Sequence, residues 1–538
     1  MLLLLPAGLL VAGAALTLLL RRRWPVAAAA WLALTAEIAI YVPTRAVQEL
    51  ISGGLGFGAQ LTLRLDAVSF AFTLFLLLPA AVLLTFQPRT GAQAAAAGLA
   101  AAAAVLCVQA GGLLLAAVAG GTAGSLVLLD LDLEAEPAPR RHWLPVRAAW
   151  LGVAWTAVLL QVAGGTAVYS AVPVSALSVP ICSLLVVAAL LASGLVPGVP
   201  LIATGQRGLA AALLFPLGFY LLVRAYDLGA GRLPAPWLNL ALVAAGALIA
   251  LLAAWRGQAA TSRRDYLAEV LPGLGGLAVF GLGLGTALGL TAAVTSLAAA
   301  ALLAGLLPLM PERTPGPVLL GLAAAAGIPP GLGFAGRLLT YQGALEAGEA
   351  KAMLGILVVA AWLLTLAGAA RAVRLPAGRV EAPGRAGAGF AAGLAGLVLA
   401  GGAGLGLLAS GLAVPAAQEA LGQPGSPLTG GLLTVTSAAG SWAAVTLAGP
   451  VILLGLLGAA ASWRAWPSAL PARPEGPPPL LSGPGPIEVA GLRLAAPSVD
   501  EYRSLFNPAA IDRALSSGQP WLWVAVLLAL ALVVLPNR

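Results

Sequence analysis

Apolar runs of about 20 residues recur from one end of this chain to the other, and each is long enough to cross roughly 30 Å of hydrocarbon as an α-helix. Backbone amides inside lipid find no water, so a spanning segment must satisfy its own hydrogen bonds. Runs of this length do so as helices. Composition agrees: 60% of the 538 residues are hydrophobic and 9% are charged, with a mean hydropathy of +0.98, against about 25% charged in an ordinary soluble domain. A soluble globule of this size would lack the charge to stay dispersed.

The sequence therefore predicts an all-α, polytopic transmembrane bundle of about 14–16 helices. The segments fall at 2–20, 24–43, 67–86, 93–109, 111–129, 148–171, 175–203, 207–225, 237–254, 267–284, 287–309, 316–347, 352–373, 388–412, 431–461 and 520–536. The first is read as a retained helix, because Arg21, Arg22 and Arg23 follow its apolar stretch instead of preceding it. Five regions follow: an N-terminal helix pair with an external loop (1–66), a core (67–373), C-terminal helices (374–461), a Pro-rich loop (462–519) and a final span (520–538). Within that loop, Val499, Tyr502, Leu505 and Phe506 share one side of a candidate interfacial helix over 498–516.

The net charge of +8 does not imply nucleic acid. Nearly all the basic residues are arginines in short loops, where positive charge sets topology. Odd-numbered loops hold Arg21–Arg23, Arg89, Arg140, Arg141, Arg147, Arg207, Arg256, Arg263, Arg264, Arg313, Arg371, Arg374, Arg379, Arg385 and five more between 464 and 513. Even-numbered loops hold Arg45, Arg64, Arg224, Arg232 and Lys351. This asymmetry places the odd loops in the cytoplasm and both termini outside a cytoplasmic (inner) membrane. Cys107 and Cys182 lie in apolar stretches, and the single histidine, His142, lies in a polar loop. That set cannot hold a bis-histidine haem or a Cys-ligated cluster, so no cofactor or metal is expected in this chain.

Two long segments are interrupted in comparable ways. One carries Pro197 and Pro200 after Ser193-Gly194; the other carries Gly327, Pro329 and Pro330. Proline removes an internal helix bond, which a membrane tolerates only where protein or cavity water covers the freed carbonyls. Each break is the fifth segment of a five-segment block, and paired breaks point to an internally repeated transporter. Four ionisable residues stand out as ion-path candidates. Arg337 follows the second break and faces either a cavity or a carboxylate partner. Glu37 lies deep in the second span, with either a titrating or a hydrogen-bonding role. Glu269 sits one turn into the tenth span, close to its cytoplasmic end, which favours a solvated or Arg-paired carboxylate. Asp66 reads first as a helix N-cap.

The stretch Ala326-Gly327-Ile328-Pro329-Pro330-Gly331-Leu332-Gly333-Phe334-Ala335-Gly336-Arg337 resembles the broken-helix motif AGIPPxxGFxGK of the antiporter-like membrane subunits. That family includes subunits of respiratory complex I (NADH:quinone oxidoreductase), membrane-bound hydrogenases and Mrp-type cation/proton antiporters. Leu65-Asp66-Ala67-Val68-Ser69, Leu217-Gly218-Phe219-Tyr220-Leu221-Leu222-Val223-Arg224 and, more weakly, Arg263-Arg264-Asp265-Tyr266-Leu267-Ala268 resemble further family stretches in the same order. The likeness covers roughly residues 60–375. It implies two inverted five-helix halves, each a half-channel for protons, driven by a sister redox module. It also implies partners: the other membrane subunits of a multi-subunit redox complex, in a lipid bilayer.

Carried over residue by residue, the family's relay is largely missing. Its glutamate on the fifth helix falls on Gly120 or Gly121, its first broken-helix lysine on Ala192 and its lysine before the GxYxLLR stretch on Pro216. The eleventh-helix charges fall within Ser296–Ala304, where no side chain ionises. Only the second broken-helix lysine keeps a charge, as Arg337, and arginine practically never releases its proton. The resemblance thus implies a degenerate member. It would be a non-catalytic subunit contributing to proton translocation or to membrane-arm architecture; the alternative is a stand-alone cation/proton antiporter or other secondary transporter.

Overall fold

A computed structural model of the chain describes residues 2–54, 60–87, 89–132, 143–195, 208–309, 315–375 and 385–422, with short strands at 429–430, 434–437, 440–443, 487–489 and 492–494. Pro197, Pro200, His142, the candidate interfacial helix and the span at 520–536 lie outside the described residues. Two compact units are present, Met1–Trp463 and Arg464–Arg538. The second shows one antiparallel pair of short strands, Ile487–Val489 with Leu492–Leu494.

The first unit opens with α1 (Leu5–Leu20) and α2 (Trp24–Tyr41). A hairpin follows, β1 (Gln48–Gly54) with β2 (Gln60–Leu65). The central helices are α3 (Ala67–Phe86), α4 (Gly91–Val108), α5 (Leu113–Asp132), α6 (Trp143–Gly164), α7 (Val179–Ala192), α8 (Gly208–Leu228), α9 (Pro236–Gln258), α10 (Arg263–Leu284) and α11 (Ala287–Leu306). The last group is α12 (Pro315–Ala326), α13 (Leu332–Glu346), α14 (Glu349–Ala372), α15 (Arg385–Gly401), α16 (Leu405–Leu408) and α17 (Val414–Leu421). Among the described residues, ten helices are long and apolar enough to cross a membrane.

Local chemistry sets several helix starts. Asp66 caps α3 by accepting from Ser69 N at 2.8 Å. Thr90 with Gln93 and Ser262 with Asp265 form capping boxes on α4 and α10, each satisfying amides that the first turn leaves free. The apolar residues show a gradient. The apolar windows of α8 and α11 are wholly buried, whereas α1, α6 and α14 bury about a third of theirs, 39%, 39% and 33%. Their outward faces carry Val162, Met353 and Ile356, side chains that lipid covers and water would not. The protein is an integral membrane protein with α3, α8, α10 and α11 as its buried centre.

Small residues let the helices close on one another. A side chain at Gly246 of α9 would strike the backbone of Gly276 and Phe280, and one at Gly276 would strike the backbone at Gly246 and Ala250. Two helices therefore meet backbone to backbone, the mode by which glycine drives association in lipid.

Three expectations need correction. The span predicted at 388–412 is a bent pair, turning by 91° between α15 and the helix that starts at Leu405. The cause is Gly401-Gly402-Ala403-Gly404: any side chain at Gly402 would run into the carbonyls of Pro330 and Gly331. This third break is made by glycine, and it seats on the proline break between α12 and α13. The span predicted from 431 instead begins with strands, Thr434–Ser437 paired with Gly440–Ala443, as the β-branched Thr434-Val435-Thr436 favours; residues 444–461 lie outside the description. Arg224 and Arg64 are not loop cations. Arg224 sits fully buried in α8, and Arg64 sits 8% exposed in β2.

Candidate functional site

At the second break, α12 stops at Ala326. Gly327 takes a φ of +66°, a left-handed value that glycine adopts without penalty. The turn is tied by Gly327 N to Ala324 O at 3.3 Å and Ile328 N to Ala323 O at 3.3 Å. Trp362 of α14 donates its indole N–H to Ala326 O at 3.2 Å, so a neighbouring helix satisfies a carbonyl that the break frees. Arg337 lies one and a half turns into α13. Its Nη1 donates to Gly333 O at 2.9 Å, and the guanidinium occupies the space where a side chain at Gly327 would project. Arg337 is 6% exposed and has no carboxylate partner among the described residues.

Arg337 faces a small, partly open cavity of about 20 Å³ between α9, α10, α13 and α14, lined also by Glu269, Tyr266, Trp362 and Thr365. Tyr266 donates to Thr365 O at 2.7 Å. Glu269 pairs with Arg256 at 3.0 Å, its side chain 16% exposed and the arginine's 46%. Glu269 is thus a paired carboxylate at the edge of the cavity, and it shares the cavity with Arg337 without bonding to it. A fixed positive charge, a carboxylate and a cavity able to take water make a polar site inside the second half.

Among the described residues the first half holds no counterpart. Where a carboxylate would stand on α5, a side chain at Gly120 would collide with the Trp150 ring of α6, whereas a Cβ at Gly121 would lie at an ordinary contact distance of 3.5 Å from Trp150 Cβ. At Gly120 the space is filled. Ala192, at the end of α7, is 2% exposed, and Gly218 of α8 comes so close to Ser193 N and Ala189 O that no side chain fits between. Pro216 is buried in the same helix, and its neighbour Phe215 with Leu195 occupies the space next to Gly275. Ala304 is buried in α11. The structure does not bring an ionisable group to any of these positions.

A different ionic centre joins the halves. Asp66 is fully buried and receives both ends of the Arg224 guanidinium, Nη2 to Oδ1 at 2.9 Å and Nη1 to Oδ2 at 2.8 Å. Arg64 Nε reaches the same carboxylate at 2.7 Å. Arg224 also donates to Ser69 Oγ at 2.9 Å, Tyr220 Oη at 3.0 Å and Asp227 Oδ2 at 2.7 Å, and its charge lies over the Tyr169 and Tyr220 rings, 5.1 Å from each centroid. Arg64 Nη2 meets Glu419 of α17 at 2.7 Å. The first turn of α3 thereby meets the last turn of α8, so these helices run antiparallel. Asp66 is a cap, as its position predicts, but also the anion between two arginines. Sequence reasoning missed the roles of Arg224, Arg64, Glu419 and Trp150; the signals that could have flagged Arg224 are its place at the end of the Leu217–Arg224 stretch and the apolar run before it.

Glu37 is fully buried in α2 and accepts from Gln109 Nε2 at 2.8 Å. It is remote in sequence and helix from Arg337, and the two do not share a site.

The sequence matches no family model and no curated protein. Solved structures share its fold. A chain of the Mrp complex from Dietzia sp. DQ12-45-1b superposes with a TM-score of 0.71 at 24% identity, over 100% of this chain and 63% of that one. The present chain thus spans less than two thirds of that relative. A chain of respiratory complex I from Thermus thermophilus gives 0.67 at 23%, over 79% of this chain and 100% of its own. A chain of the membrane-bound sulfane sulfur reductase, an archaeal respiratory membrane complex, gives 0.71 at 17% and covers 99% of each. The shared fold agrees with the likeness to antiporter-like membrane subunits carried by Ala326–Arg337.

Proposed function

We propose that the chain is a membrane subunit of a multi-subunit, ion-translocating respiratory complex of the Mrp or complex I type, in which its first half is sealed architecture. The observation that carries this is the filling of the relay positions: Trp150 stands over Gly120, and Ser193 packs on Gly218. A water-filled half-channel needs titratable stations, and apolar contacts occupy their places. The second half keeps Arg337 and Glu269 on a cavity, so any ion movement through this chain runs there, with Arg337 as a fixed field and Glu269 as the group able to exchange a proton. The antiparallel α3 and α8 support a core of two inverted halves, near 67–203 and 207–347. The arginine-rich odd loops support a cytoplasmic face for those loops, with the hairpin end outside. The chain would contribute no redox centre, and electron transfer would belong to its partners.

Gentle solubilisation and pull-down of the tagged chain tests the assignment. Recovery with other membrane subunits and a redox or antiporter module is expected; recovery alone, with solute or cation exchange in liposomes, would establish the stand-alone transporter instead. Within an assembled complex, Arg337→Ala is expected to cut proton flux several-fold while Arg337→Lys retains most of it. Equal flux in Arg337→Ala and wild type would remove the second half from any path.

A further inference from the structure

Glu37 stands among three buried oxygen atoms that have no hydrogen-bond partner: its own Oε1, the Thr73 hydroxyl of α3 and the amide oxygen of Gln109 at the end of α4. Thr73 faces the carboxyl. The one bond that orders the group is Gln109 Nε2 to Glu37 Oε2 at 2.8 Å. Among the described residues no cation is paired with the carboxyl. The helices packed most closely on α2 are α1, α3 and α4, and none of these carries an acidic or basic side chain; α15 touches α2 through Phe390 against Trp31. Cys107, the one titratable group on α1, α3 and α4, is engaged with Ala116 O. An ionised carboxylate here would have two neutral donors, Gln109 Nε2 and the Thr73 hydroxyl, and no countercharge, whereas a protonated one has an O–H to give and unused acceptors around it.

We propose that Glu37, Thr73 and Gln109 form a buried proton-binding site, in which the protonated carboxyl donates through Oε1 to the Thr73 hydroxyl. Release breaks that O–H bond, leaves its electron pair on the carboxylate and passes the proton to water; uptake reverses it, and no other reactant is needed. A metal cation would require more oxygens than three side chains supply, and the carbonyls of α2 to α4 are engaged within their own helices. The site is also wired to the ionic centre. Gln109 O accepts from Arg64 N at 2.7 Å, and Thr73 lies one helical turn beyond Ser69, which holds Arg224. A charge change at Glu37 is therefore felt where the two halves are joined. This goes beyond the assignment of the second half, because it concerns helices that the Arg337 cavity does not touch.

The test is infrared difference spectroscopy of the full chain, purified with its partners, with glutamate labelled by carbon-13. A protonated-carboxyl C=O band that shifts with the label, disappears as pH is raised and is absent in Glu37→Gln is expected. Glutamine keeps the size and both hydrogen bonds, so folding is preserved. Gln109→Leu removes the donor to the carboxylate and should raise the band's midpoint by about one pH unit. A merely structural glutamate would change melting temperature without moving a titrating band. The proposal is overturned if no band sensitive to Glu37→Gln occurs at any pH, if Gln109→Leu lowers the midpoint, or if sodium abolishes the band at fixed pH.

Discussion

The two halves treat the same architectural event in opposite ways. At Ala192 the chain ends α7, and among the described residues Ser193 packs on Gly218 while Leu195 and Phe215 fill the space next to Gly275. Around Gly327 it ends a helix and lines the opening with Arg337, Trp362 and Tyr266, beside a cavity. One helix end lies in close packing and the other in a polar niche. The difference teaches that losing an ionisable residue is not the same as leaving a hole. A buried charge would carry a desolvation cost of a few kcal/mol, and at Gly120 the Trp150 ring takes the space that a side chain would need.

The joint between the halves is where the comparison can be broken most severely. Asp66 is the single anion shared by Arg64 and Arg224. Asp66→Asn leaves two buried guanidinium groups short of charge, and truncating one member of such a group costs about 3–5 kcal/mol. The expected result is a large drop in melting temperature and loss of assembled protein on size exclusion. Glu419→Gln, at the partly exposed rim of the same cluster, should cost far less. Equal effects from the two would mean that the cluster is not centred on Asp66.

Next in size is an attempt to rebuild the missing station. Gly120→Glu drives a side chain into the Trp150 ring, and overpacking of this kind costs about 1–3 kcal/mol before the buried charge is counted. The single variant should express poorly. Gly120→Glu with Trp150→Gly should recover expression, because the space is then returned. If Gly120→Glu alone folds as wild type, the plug is not a plug, and the contrast between the halves loses its basis.

How much of this was legible beforehand follows from range. The spans, the Asp66 cap and the break at Pro329-Pro330 rest on neighbours within a few residues, and the sequence shows them. The ionic centre does not: Arg224 and Asp66 are 158 residues apart, and Arg64 and Glu419 are 355 apart, so each looked like an isolated charge at a span boundary. Trp150 is one apolar residue among many until its ring is found over Gly120. The bend at Gly402 was hidden for a different reason. In a chain whose helices are built from alanine and glycine, a further Gly-Gly-Ala-Gly reads as packing, and only the carbonyls of Pro330 and Gly331 reveal why a side chain is forbidden there. Glu37 could be named as buried and ionisable; its lack of a countercharge could not.

The finest probe of the contrast is Trp362. Its indole N–H is the partner that α14 lends to Ala326 O at the end of α12, whereas α7 ends on the local bonds of Ser193 N to Ala189 O and Gly194 N to Leu191 O. Trp362→Phe keeps an aromatic ring against Phe334 and deletes that one donor. The expected loss is about 1 kcal/mol, a shift of roughly 1–2 °C in a chain this long, measured by thermal unfolding in detergent. Because Trp362 itself lines the Arg337 cavity, water can take the donor's place, and proton flux in the assembled complex should stay within twofold of wild type. A much larger loss would show that the second break, too, depends on dry packing, and the distinction between a sealed half and an open one would then fail at its open end.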